Sequence, residues 1–135
     1  MPSPFTFEAI LPQAARHVAA YLPAQREDGA LVRADWGIDD PSGTVSLLAL
    51  ALFSLQLKAQ FPALTQDAPD DATLQDVATR ALSYLENYQR PSGLTDLRDC
   101  NYDSSPDAGF LLQALVPALL GPSPGASHHP LPWLR

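Results

Sequence analysis

The stretch Tyr21-Leu22-Pro23-Ala24-Gln25-Arg26-Glu27-Asp28-Gly29 decides the reading of this chain. It returns as Tyr84-Leu85-Glu86-Asn87-Tyr88-Gln89-Arg90-Pro91-Ser92-Gly93. Tyrosine, leucine, glutamine, arginine and glycine recur at a shift of 63 to 64 positions. Further on, Pro41, Leu47, Ala49 and Leu50 recur as Pro106, Leu112, Ala114 and Leu115 at a shift of 65. The copies therefore stay in step with single-residue insertions, which marks an internal repeat.

Each copy opens with an amphipathic segment. The first carries Phe7, Ile10, Leu11, Ala14, Ala15, Val18 and Leu22, and the second Leu74, Val77, Ala78, Ala81, Leu82, Leu85 and Tyr88. Apolar spacings of three and four put these residues on one helical face. Gln13, Arg16 and His17 in one copy, and Gln75, Asp76, Thr79, Arg80 and Glu86 in the other, are expected to face water. Pro12 is expected in the first turn of the first helix, where its missing N–H removes no helical hydrogen bond. A connection of roughly fifteen to twenty residues follows each helix, longer than the usual two to eight between helices, and such connections are commonly functional.

Both connections end on a helix-start signal, Asp40-Pro41 and Ser105-Pro106, a capping side chain before a proline preset for the first turn. The helices that follow, through Val45 to Leu57 and Ala108 to Leu120, are apolar nearly all round and must be covered on every side. One-sided helix, buried helix, one-sided helix, buried helix is the order produced by two concentric helical layers. The expected fold is all-α: two consecutive helical hairpins of an incomplete α/α toroid, with a four-helix bundle as the alternative. Residues 1–120 form a single α-helical domain, its two units at about 5–61 and 70–120, and residues 121–135 a proline-rich tail. Two hairpins cannot close a ring of inner helices, so a homo-oligomer or a missing C-terminal region is expected to cover the apolar surface left open.

Composition narrows the function. At 135 residues with 46% hydrophobic and 17% charged positions, the chain suits one globular domain. Fourteen prolines, about twice the usual share, belong in loops and at helix starts. A net charge of −7 argues against nucleic acid and against polybasic membrane attachment. Both apolar stretches fall short of the roughly 18 residues a bilayer span needs, and no membrane partner is expected. The lone cysteine, Cys100, rules out an internal disulfide or a cysteine zinc cage. Met1 to Phe7 lack a basic segment followed by an apolar run, so a cytoplasmic location is expected. His17, His128 and His129 have no third ligand in reach. Calcium among Asp39, Asp99 and Asp103 would lack a recognised ion loop. No metal and no cofactor are expected.

Equivalent connections should emerge at one end, placing residues 25–41 beside 89–106. They hold nine of the fifteen acidic residues: Glu27, Asp28, Asp35, Asp39, Asp40, Asp96, Asp99, Asp103 and Asp107. Arg26, Arg33, Arg90 and Arg98 accompany them, with Trp36 and Tyr102, whose flat faces suit a sugar ring. Trp36, Arg33, Asp39, Arg90 and Tyr102 are the candidate substrate-binding residues for a glycan. The run Arg90-Pro91-Ser92-Gly93-Leu94-Thr95-Asp96-Leu97 through Asn101-Tyr102-Asp103-Ser104-Ser105-Pro106-Asp107-Ala108-Gly109-Phe110 resembles a stretch near the start of heparinase II/III-like proteins. That pattern is a glycine turn, an asparagine, and a serine-proline-aspartate helix start followed by a small residue and phenylalanine.

The resemblance covers about twenty residues. It implies an α/α toroid and polysaccharide lysis by proton abstraction beside a uronate. The tyrosine and histidine that perform elimination in such enzymes would lie further along than this chain reaches. Lysis needs a neutralised sugar carboxylate and a base. Asn101, Tyr102, Asp103, Asp99 and Arg98 have the right types. Against them stand ordinary roles: asparagine bonding its own turn, arginine in surface pairs. The expectation is a partial, lyase-like polysaccharide-processing module, inactive alone. The alternatives are a noncatalytic helical protein-interaction module, or a glycosidase-like module in which Asp39 or Asp40 faces Asp99 or Asp103 across about 5 to 9.5 Å.

Overall fold

The computed structural model describes residues 7–32, 37–97 and 100–120. Helices dominate: α1 (Phe7–Tyr21), α2 (Pro41–Gln60), α3 (Asp71–Tyr88) and α4 (Ser105–Leu120), with single 3-10 turns at Leu22–Ala24 and Pro62–Leu64. Two short strands, β1 (Thr95–Leu97) and β2 (Cys100–Ser104), form an antiparallel ribbon just before α4. The all-α expectation holds for the bulk of the chain, and this ribbon qualifies it.

The centre is α2, against which α1, α3 and α4 all pack. Its 20 residues bury eleven side chains, among them Val45, Leu47, Leu48, Leu52 and Leu57. From α3 come Leu74, Val77, Ala78 and Ala81, and from α1 Val18. Each fully buried leucine or valine contributes about 1.5–3 kcal/mol relative to exposure. The side-chain amide of Gln56 donates to the Ala118 carbonyl at 2.6 Å, fastening α4 to the hub. One sequence expectation changes here. At 20 residues α2 is long and apolar enough for a bilayer by length and composition, although 56% of its apolar window is buried inside the protein. Both α3 and α4 pack on α2, and a hollow of about 230 Å³ lies between them, lined by Leu82, Leu85, Leu112 and Leu115.

Helix boundaries follow local chemistry. The Asp40 carboxylate accepts from the Gly43 N–H at 3.0 Å, and Pro41 takes the first helical position of α2. Asp70 caps α3 the same way through Thr73. Pro12 departs from expectation: α1 begins at Phe7, so the proline lies inside the helix. There it removes one backbone hydrogen bond and favours a bend.

Where they are described, both long connections are held by backbone hydrogen bonds. Both begin with the same turn: the Gln25 N–H donates to Leu22 O at 3.2 Å and that of Gln89 to Leu85 O at 2.9 Å. Arg26 N–H reaches Ala30 O, and Arg90 N–H reaches Leu94 O, both at 2.9 Å. Gly29 N–H returns to Arg26 O at 3.0 Å, and Gly93 N–H to Arg90 O at 2.8 Å. The glutamine side chain then closes each turn, Gln25 on Gly29 O at 3.2 Å and Gln89 on Gly93 O at 2.8 Å. Gly29 and Gly93 have φ of +93° and +83°, the left-handed conformation such a tight turn demands. Beyond the turns, Val32 bridges Asp39 in the first copy as Asp96 pairs with Asp103 in the second, both offset by 64 positions.

The two glycines differ in surroundings. A Cβ on Gly29 would overlap the Arg80 carbonyl of α3, whereas one on Gly93 would meet nothing within 4 Å. Gly93→Ala is therefore expected to lose about 1–2 kcal/mol from the backbone conformation alone, and Gly29→Ala about 1–3 kcal/mol more from overpacking. Urea unfolding of the two variants checks the difference, and equal losses would contradict the docking of this turn on α3.

Candidate functional site

The starts of α2 and α4 and the end of α3 meet at one end of the molecule: Val45, Leu85 and Ala108 line one hollow together with Gln89, Gly93 and Thr95. On the same rim a second hollow, of about 240 Å³, is lined by Ile38, Asp39, Pro41, Tyr84, Asn87 and Tyr88. It lies below the 300–1,000 Å³ usual for small-molecule sites. The rings of Tyr84 and Tyr88, one helical turn apart on α3, stack with centroids 5.7 Å apart at 18°. The Tyr84 hydroxyl donates to the Asp39 carboxylate at 3.4 Å.

Asp39 is the candidate substrate-binding residue that the structure brings to this hollow. Its carboxylate is already engaged, since the Arg26 guanidinium donates to it at 2.7 Å. The same guanidinium pairs with Asp28, whose other role is to accept from the Ala30 N–H at 3.1 Å. The hydrogen bond from Arg26 holds the Asp28 carboxyl below the usual carboxylate range. Burial, then the negative charge of Asp39, pushes the Tyr84 phenol well above its ordinary value. These groups form a network that fixes the first turn and leaves Asp39 acting as an acceptor.

The remaining candidates divide. Trp36, Arg33, Arg98 and Asp99 lie outside the described residues. Asn101, Tyr102 and Asp103 stand in succession on β2, with Asp103 opposite Asp96 across the ribbon. Arg90 is in the second turn, where its N–H donates to Leu94 O. The Asp40 carboxylate caps α2, the role negative charge plays at a helix N-terminus, while its expected partner Asp99 lies outside the described residues. Arg80, expected to face water, instead donates to the Arg26 carbonyl at 3.1 Å and so holds the first turn to α3. Among the described residues no group of three His, Cys, Asp or Glu side chains converges for a metal ion.

Sequence reasoning passed over Tyr84, Asn87 and Tyr88. Tyr84 and Tyr88 were assigned to the repeat and to the apolar face of α3. The i, i+4 spacing of two tyrosines was the available signal for this half-buried stacked pair.

No protein-family model, no curated protein and no solved structure matches the chain.

The raised phenol has a measurable consequence. A tyrosine whose folded pKa exceeds its unfolded one stabilises the fold fully below about pH 10. That contribution is lost as pH rises through the folded value. Tyr84→Phe is expected to flatten the fall of stability above pH 10, and Asp39→Asn to bring the high-pH tyrosinate absorbance transition downward. An absorbance titration unchanged by Asp39→Asn would contradict the Tyr84–Asp39 contact.

Proposed function

We propose that the chain is a noncatalytic helical interaction module, built as two units of an incomplete α/α toroid, whose partner is a further helical unit laid on the open side of α4. The observation that carries this reading is one stripe on that helix: Leu112, Val116 and Leu119 are 58%, 42% and 37% exposed. Spacings of four and three put them on one face, and together with the hollow beside Leu112 and Leu115 they make a contiguous apolar patch of the kind that marks association sites. A setting without nucleic acid or polybasic membrane attachment remains part of the proposal, on the net charge of −7.

A second reading is a glycan-facing rim of the lyase-like, polysaccharide-processing kind implied by the resemblance to heparinase II/III-like proteins. The stacked Tyr84 and Tyr88 beside Asp39 and Asn87 favour it, because an aromatic face with polar acceptors at its edge suits a sugar ring. The engaged carboxylate of Asp39 and the small hollow favour binding over catalysis.

At dilutions that keep it a single chain, the native protein is expected to bind a hydrophobic dye that fluoresces on apolar surfaces, and Val116→Asp to lose most of that signal. Equal signal in both would remove the interaction reading. For the glycan rim, neutral and uronate-containing oligosaccharides are expected to quench tyrosine fluorescence in the wild type and not in Tyr88→Ala. No response at high sugar concentration would remove that reading.

A further inference from the structure

We propose that the open side of α4 and the second turn is covered by the first unit of another copy of this chain, joined head to tail. This rests on the open-face reading above and names its occupant. The argument comes from comparing equivalent positions within the chain. On α2, Leu47, Ala51 and Ser54 are 1%, 0% and 4% exposed, while their equivalents on α4, 65 positions on, are the exposed Leu112, Val116 and Leu119. The same contrast holds for the turns. The first is covered by α3: the Gln25 amide donates onward to Val77 O at 3.1 Å, Arg80 donates to Arg26 O at 3.1 Å, and Gly29 lies against the Arg80 carbonyl. The second turn has the same internal bonds, yet Gln89 is exposed and the space beside Gly93 is open.

What covers the first turn is therefore the opening helix of the next unit, and the chain itself contains another such helix. In the repeat α1 corresponds to α3, with Ala14 at the position of Val77, His17 at that of Arg80 and Tyr21 at that of Tyr84. His17 and Tyr21 are exposed and, with Gln13, border an open hollow of about 530 Å³ lined on its other side by Leu31, Leu47 and Leu50. Set on the second turn of a preceding copy, α1 offers the Ala14 carbonyl to the Gln89 amide. The His17 ring N–H offers itself to the Arg90 carbonyl, as Arg80 does to that of Arg26. A contact between unlike surfaces does not close on itself in a dimer, so copies add in sequence until a ring forms or a chain of them grows.

Two variants at exposed positions test this on the full chain. Val116→Asp blocks the trailing surface and Tyr21→Asp the leading one, and each is expected to keep the wild-type circular dichroism. Should either fail to fold, Leu112→Lys and His17→Asp replace them. By light scattering the wild type is expected to exceed the 14.5 kDa of one chain and to grow with concentration. Each variant alone is expected to stay at one chain, and their equimolar mixture to give a species of twice that mass. Val116→Asp or Tyr21→Asp assembling alone, or the mixture remaining at one chain, overturns the head-to-tail arrangement. A wild type that stays monomeric while the dye still reports an apolar face lost in Val116→Asp overturns the second-copy occupant and leaves the open-face reading standing. Loss of both signals removes the two together.

Discussion

The Gln25 side-chain amide is the contact on which the rest of this structure depends. It donates to Gly29 O within its own turn and to Val77 O on a helix 52 residues away. One buried group thus sets the turn's shape and also its place on α3. Arg80 answers from the other side by donating to the Arg26 carbonyl, and Gly29 leaves room for the backbones to approach. A buried amide left without its bonds would cost about 1–3 kcal/mol, so turn and helix constrain one another. With the turn fixed, Leu31 N–H meets the Thr44 hydroxyl at 2.8 Å, and that hydroxyl donates to Asp40 O at 2.7 Å. The start of α2 is therefore tied to Leu31, which closes the first turn by its bridge to Gln25.

Much of this is visible in the sequence because it is local. The glutamine-arginine and glycine spacing identifies the turn, Asp40-Pro41 the start of α2, and the apolar periodicity α1 and α3. What the sequence does not display is long-range or cooperative. Nothing about Arg80 distinguishes a solvated helical arginine from one that docks a turn, because the difference lies in a carbonyl 54 residues earlier. Pairing of Asp96 with Asp103 was equally hidden, since the residues between carry no alternation of polar and apolar side chains strong enough to mark a strand. At the rim, Asp39 was legible as a candidate. The partners that define its role, Arg26 and Tyr84, come from different units.

The acidic character of the connections, which suggests catalysis on first reading, has a structural account at Asp28, Asp39 and Asp40. Asp28 braces Arg26 and the Ala30 N–H, Asp39 receives Arg26 and Tyr84, and Asp40 and Asp70 cap helices. Each carboxylate satisfies a donor that a sharp change of chain direction would otherwise leave exposed to competition from water. A connection that must turn tightly, run as a ribbon and start a helix within about twenty residues collects such groups for mechanical reasons. Acidic density alone is thus a poor guide to chemistry in this chain.

The distribution of apolar surface follows from the same repetition. Helix α2 is apolar nearly all round and is covered by α1, α3 and α4; α4 has a similar sequence but, among the described residues, packs chiefly on α2 and β1, so a similar composition gives a core helix in one place and an exposed stripe in the other. Substituting polar residues along that stripe would make a two-unit protein more soluble, and the sequence has not done so at Leu112, Val116 or Leu119. Repeat architectures normally end in a unit with a polar outer face. Among the described residues the last helix carries an apolar stripe at Leu112, Val116 and Leu119 instead, and it is this stripe, not the acidic rim, on which the proposed association rests.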